Sequence, residues 1–79
     1  MDINLARQVA RSAFRSSREL GNLIPVLKQT LDADEFQIYS KAIATAIATI
    51  QVEVVNRVTT AHPGLEAEIE DSIEKKGHF

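Results

Sequence analysis

The chain has 79 residues, of which 44% are hydrophobic and 25% are charged, with no cysteine and a formal net charge of −2. This length predicts one domain spanning residues 1–79, the absence of cysteine excludes a disulfide framework, and two isolated histidines argue against a structural zinc site. A single core of this size rarely supplies more than about 3–5 kcal/mol of net stability. We therefore expect self-association to add to the stability of the fold.

The first predicted helix covers residues 2–20. Its apolar side chains recur at helical spacing and share one side: Leu5, Ala6, Val9, Ala10, Ala13 and Leu20. Gly21 follows the last of them and is predicted to end the helix in a left-handed conformation. A short second helix is predicted for residues 23–31, with Asn22 as its N-cap and Pro25 in its first turn.

The third predicted helix, residues 33–61, contains neither glycine nor proline and would be about 43 Å long. Asp32 is a suitable N-cap, and Glu35 follows three residues later, as in a capping box. The main apolar stripe has the alternating spacing of a coiled-coil seam. The stripe residues, which are also the predicted interface residues, are Phe36, Ile43, Ile47, Ile50, Val54 and Val58. A weaker stripe on the far side contains Ile38, Ala48, Val52 and Val55.

The last predicted helix covers residues 65–76 and ends at Gly77. Its apolar edge is narrow, because only Leu65, Ile69 and Ile73 contribute to it and acidic residues cover the rest. We expect this helix to be the least stable part of the chain and to fray past Lys75.

These elements predict an all-α fold, an antiparallel bundle of three to four helices around the long central helix. A compact chain of 79 residues has a diameter of only about 30 Å, so the long helix would project beyond it and expose apolar side chains. A second copy could cover them, and the sequence therefore predicts a homodimer built on the third helix.

Motifs for catalysis or cofactor binding are absent from the sequence. No serine lies in a Gly-x-Ser-x-Gly elbow, and the three isolated glycines form neither a phosphate-binding loop nor a dinucleotide fingerprint. The cluster of Asp32, Asp34 and Glu35 is interpreted as a helix start rather than a metal site. We expect no enzymatic activity, no cofactor and no metal.

One helix face carries a stripe of arginines: Arg7, Arg11, Arg15 and Arg18. Three interpretations are open: a solvated polar face, pairing with the acidic last helix, or binding to the anionic backbone of a nucleic acid. Pairing is plausible on charge, since residues 1–31 carry five basic and two acidic side chains and residues 32–79 carry four basic and nine acidic. The sequence pI of about 5.6 argues against nucleic acid.

The most apolar stretch, residues 42–50, is interrupted by Gln51 and Glu53, so the sequence predicts no membrane span. The first ten residues lack the apolar core of a secretory signal. Residues 5–20 have the composition of a transit peptide, an interpretation that Asp2 and Glu19 disfavour. The favoured function is that of a cytoplasmic protein–protein interaction module, a self-associating adaptor or regulatory protein. The alternative is a nucleic-acid-associated regulator that uses the arginine face.

Overall fold

The computed structural model describes all 79 residues, which form helices and no strand, so the predicted all-α class is confirmed. Helix α1 spans Ile3–Thr30, α2 spans Ala33–Thr49, α3 spans Asn56–Ala61 and α4 spans Pro63–Lys76. A π-helical segment, Ile50–Val55, joins α2 to α3 without a break. Together these three pieces form one continuous helix, Ala33–Ala61, which we call the long helix.

Helix α1 runs through the break predicted at Gly21, and the prediction of two separate helices there is wrong. Pro25 lies inside the helix, where it has no amide hydrogen to donate to the carbonyl of Gly21. The half-buried side chains of Leu20, Ile24 and Leu27 line the same side before and after this point. Packing of that side against the long helix stabilises α-helical geometry more than a proline and a glycine disfavour it.

The predicted long helix and its N-cap are confirmed. Asp32 Oδ1 accepts a hydrogen bond of 2.9 Å from the backbone N–H of Glu35, which satisfies one of the free donors at the helix start. Only Leu31 and Asp32 separate α1 from the long helix, so the two helices pack side by side in opposite directions. His62 separates the long helix from α4, which starts at Pro63, two residues before its predicted start.

The π-helical segment changes which valines are buried. Asn56 N–H donates to the carbonyl of Gln51, five residues back, so this turn contains one residue more than an α-helical turn. The extra residue shifts every following side chain by one position. Val55 and Val58 are therefore buried, whereas Val54 is half-buried at the edge of a groove. Val54 thus lies beside Ile50 as the main stripe predicts, whereas Val55, which was assigned to the weaker stripe, enters the interior.

The hydrophobic core lies at the end of the molecule where three helices meet. It joins small residues of α1 to larger ones of α3 and α4, and its members are Ala6, Ala10, Val58, Leu65 and Ile69. Ala6, Ala10 and Leu65 are completely buried there. At the opposite end, α1 and α2 pack on each other without a third helix.

The residues after α4 fold back onto α1, and the low stability of this helix and its fraying past Lys75 stay predictions. Gly77 adopts a left-handed conformation (φ 81°), the geometry for which glycine is suited. Ser72 Oγ then donates a 2.8 Å hydrogen bond to the carbonyl of His78. The Phe79 ring packs edge-on against Phe14, with 6.2 Å between ring centroids.

The chain is elongated, with extents of 45 × 25 × 15 Å and a radius of gyration of 14.8 Å. A compact chain of this length would have a radius of about 12 Å. The accessible surface is 5678 Å², against about 4,700 Å² for a typical monomer of this mass. Only 7 of 79 residues are buried, so much of the apolar surface of the helices faces solvent.

Replacing Gly21 by Ala tests whether α1 is continuous. A Cβ at this position would meet nothing closer than Ile47 Cδ1 at 4.0 Å, an ordinary contact. In a helix interior the change should raise the free energy of unfolding by about 0.5–1 kcal/mol. Gly77→Ala, at a left-handed position, should lower it by about 1 kcal/mol. Thermal denaturation of both variants measures this. Destabilisation by Gly21→Ala would indicate the break that the sequence predicts.

Replacing Leu65 by Ala tests how α4 is anchored. Leu65 is the largest fully buried side chain, and its truncation should cost about 2–5 kcal/mol. That loss is comparable to the whole stability of a domain of this size. Ile73→Ala, on an exposed part of the same helix, should cost about 1 kcal/mol. Urea denaturation followed by circular dichroism compares them, and equal midpoints would contradict the position of the core.

Candidate interaction surface

An open groove runs between the first half of α1 and the π-helical segment. Its volume is about 470 Å³, and its walls are mostly apolar. The apolar lining residues are Leu5, Val9, Ala13, Ile50 and Val54. Gln8, Ser12 and Ser16 add small or neutral polar groups, and no charged side chain lines the groove. A surface of this kind is suited to binding another apolar surface.

Helical spacing places further apolar side chains on the groove side of both helices, toward the turn at Leu31 and Asp32. At 100° per residue, Leu20, Leu23 and Leu27 lie on the side of α1 that carries Leu5 and Val9. On the long helix, the residues on the side of Ile50 are Phe36, Tyr39, Ile43 and Ala46. We call this combined surface, from Leu5 and Val54 to Leu27 and Phe36, the groove face. Leu23 is 47% exposed and Tyr39 is 53% exposed, so the groove face is uncovered in the single chain.

The predicted interface residues divide between two environments. Phe36, Ile43, Ile47, Ile50 and Val54 are half-buried. Ile47 approaches α1 at Gly21, and Val58 is enclosed in the three-helix core. The sequence interpretation missed Leu5, Leu23 and Tyr39 as surface residues of the groove face. The apolar spacing of Leu5, Val9, Leu20, Leu23 and Leu27 along one uninterrupted helix is the signal that could have found the α1 side.

The long helix is also long and apolar enough to cross a membrane, by length and composition only. The helix continues through Gln51 and Glu53 with an 18-residue window of mean hydropathy 1.3, and the absence of a membrane span stays a prediction. Core helices of soluble proteins pass the same test, but they are mostly buried. Here only 11% of the window is buried, so the apolar sides of this helix lack a cover within the chain.

Helix α4 divides the predicted arginine stripe into paired and unpaired members. Arg7 Nε donates to both carboxylate oxygens of Glu68, at 2.9 and 3.0 Å. Its Nη1 donates to Asn4 Oδ1 at 2.9 Å. Pairing with the acidic last helix, one of the three open interpretations, therefore holds for Arg7. Arg11, Arg15 and Arg18 form no ion pair.

The three remaining arginines lie together at the folded-back C-terminal residues. Arg11 places its guanidinium carbon 5.1 Å from the centroid of the Phe79 ring, a cation–π contact. Arg11, Arg15 and Arg18 line one small pocket of about 150 Å³ with Phe14, His78 and Phe79. The other wall of this pocket depends on the turn at Gly77, which brings residues 78 and 79 against α1.

The acidic residues and the histidine that were considered as metal ligands lie at opposite ends of the long helix. Asp32 caps the long helix, Asp34 and Glu35 lie in its first turn, and His62 lies at its other end. Acids at a helix start interact favourably with the helix dipole, which agrees with the structural interpretation of this cluster. No three histidine, aspartate or glutamate side chains are grouped so that they could hold a metal ion.

Comparison with known proteins identifies no relative of this chain. No protein-family model, no curated protein and no solved structure was found to match the chain. The chain's own surfaces, the groove face and the arginine pocket, are therefore the observations from which its function is argued.

The Arg7–Glu68 pair should contribute modestly to stability. Its side chains are 32% and 41% exposed, so solvent screens the attraction, and we expect Glu68→Gln to cost no more than about 1 kcal/mol. Glu66→Gln removes an unpaired carboxylate of the same helix and should change stability by less than about 0.5 kcal/mol. Chemical denaturation at low and high salt measures both. A Glu68→Gln effect that does not shrink with added salt would argue against the ion pair.

Proposed function

We propose that this protein is a self-associating helical interaction module whose groove face binds a second copy of the chain. The observation that supports the proposal is the uncovered groove face, which combines half-buried and exposed apolar side chains of α1 and the long helix. Transfer of such surface from water is favourable by about 25 cal/mol per Å². A contiguous apolar face of this kind is typical of an interaction surface rather than of a monomer.

The accessible area of the chain supports an interface of ordinary size. The chain exposes about 1,000 Å² more than a typical monomer of its mass. Each partner in a standard interface buries about 800 Å². A second copy that covers the groove face would remove an area of this order and leave α4 and the arginines on the outside.

The thin shape of the chain favours a two-layer assembly. Two antiparallel helices form one layer, and a second such layer stacked on the groove face would give a four-helix bundle. A two-fold axis would place the same surface on both sides of the contact, so one apolar face suffices. Under this proposal the protein has no catalytic activity and acts in the cytoplasm as an adaptor or regulatory subunit.

Replacing Leu23 by Asp tests the proposal without disturbing the core. Leu23 is largely exposed in the single chain, so an aspartate there should leave the monomer folded. In the dimer it would put two charges into an apolar interface and remove two leucines, each worth about 1.5–3 kcal/mol. We expect the dimer dissociation constant to rise by a hundredfold or more, or about 3–6 kcal/mol. Sedimentation equilibrium measures the change, and circular dichroism checks the fold.

Ile38→Asp is the matched control. Ile38 is 67% exposed on the side of α2 that faces away from α1, so this variant makes the same change outside the groove face. It should dimerise like the wild type. A wild-type mass of 8.7 kDa at high micromolar concentration would overturn the proposal. So would equal weakening by both variants, or partition of the wild type onto neutral lipid vesicles as a monomer.

A further inference from the structure

We infer that Arg11, Arg15 and Arg18, together with the folded-back Phe79, form a binding site for a phosphate-bearing anion. The inference is independent of the proposed dimer, because the arginines occupy a different side of α1 from the groove face. It starts from one fact of charge: three guanidinium groups share a pocket that contains no acidic side chain.

Three of the nine basic side chains form ion pairs, and the arginines of this cluster are among the six that do not. Arg7, Arg57 and Lys75 each have a carboxylate partner within 4.0 Å, namely Glu68, Glu53 and Asp71. Arg11, Arg15 and Arg18 have none. Like charges at i, i+4 on a helix repel each other, so the cluster carries an electrostatic cost that a bound anion would offset.

The spacing along α1 directs the three guanidinium groups to one place. Residues 11, 15 and 18 are separated by four and three positions and lie within about 60° of arc on the helix surface. Guanidinium is planar and presents several N–H donors, which suits bidentate binding of phosphate oxygens. A dianionic phosphate matches such a cluster better than a single carboxylate does.

The rings of Phe14 and Phe79 form an aromatic wall of the pocket beside the arginines. Phe79 packs against Phe14 and lies below the Arg11 guanidinium, which holds that side chain in place. Ordering Arg11 before binding lowers the entropy that a ligand would otherwise have to offset. The hydrogen bond from Ser72 Oγ to the His78 carbonyl also holds residues 78 and 79 in this position, from the side of α4.

The size of the pocket selects a small ligand group. Its volume of about 150 Å³ equals that of roughly five water molecules, enough for one tetrahedral oxyanion and too little for a base pair. Arg7 is paired with Glu68 of helix α4, so only three arginines remain unpaired, and they form a compact cluster. A protein that follows a nucleic-acid backbone would instead present a longer row of unpaired basic side chains. The proposed ligand group is a terminal phosphate, carried either by a soluble molecule or by a lipid headgroup.

Titration of the full chain with sodium pyrophosphate tests the site. Nitrogen-15 spectra of the arginine side chains should show saturable shifts at Arg11, Arg15 and Arg18 and none at Arg57, with sodium chloride at equal ionic strength as the reference. Arg15→Gln and Arg18→Gln should each weaken binding about tenfold or more, as expected for loss of a charge-assisted contact. Arg57→Gln, which removes the same charge from an exposed site on α3, should bind like the wild type.

Vesicles separate the two sources of phosphate. Flotation with vesicles that contain phosphatidic acid, lost in Arg15→Gln and retained in Arg57→Gln, would support the site with a lipid headgroup as ligand. Pyrophosphate binding without flotation would support it with a soluble ligand. The inference is overturned if pyrophosphate gives no saturable shifts, or if Arg57→Gln weakens binding as much as the pocket variants. It is also overturned if a DNA duplex binds and all arginine variants, including Arg7→Gln, weaken that binding equally.

Discussion

The packing of α1 along the long helix is the contact on which the rest of the structure depends. It aligns α1 from Ala6 beside Val58 to Gly21 beside Ile47, and it keeps α1 helical through Pro25. Because the contact is long and contains alanines on one side, it brings the two backbones close together without enclosing many large side chains. The two helices are thus in contact along much of their length, and yet the chain buries few residues.

The short last helix covers only part of what this pair of helices exposes. Helix α4 closes the core at one end with Leu65 and Ile69, and the groove face remains open on both helices. Burial in a 79-residue chain is limited by its surface-to-volume ratio, and only 7 of its 79 residues are buried. In the proposed function, a second copy of the chain would supply a layer over the groove face.

The same last helix determines what the arginines can do. By placing Glu68 at Arg7, it neutralises one charge, and by turning at Gly77 it brings an aromatic ring to Arg11. A stripe that looks uniform in the sequence thus becomes one ion pair and one cluster of three unpaired cations. The proposed anion site follows from that division, whereas the stripe alone would fit a solvated surface equally well.

The sequence by itself determined the helical class, the long helix from residue 33 to residue 61 and its Asp32 cap, because these depend on local spacing, capping and the absence of glycine and proline. It also placed apolar residues of the long helix where the groove face now lies. Only the tertiary structure decided that α1 continues through Gly21, since packing against a distant segment offset an unfavourable local preference. Likewise, Val55 of the weaker stripe is buried because a π-helical turn inserts one residue, and a hydrophobic period does not predict such an insertion. The separation of Arg7 from the other arginines depends on side chains 61 residues apart in the chain, a contact that helical periodicity cannot encode.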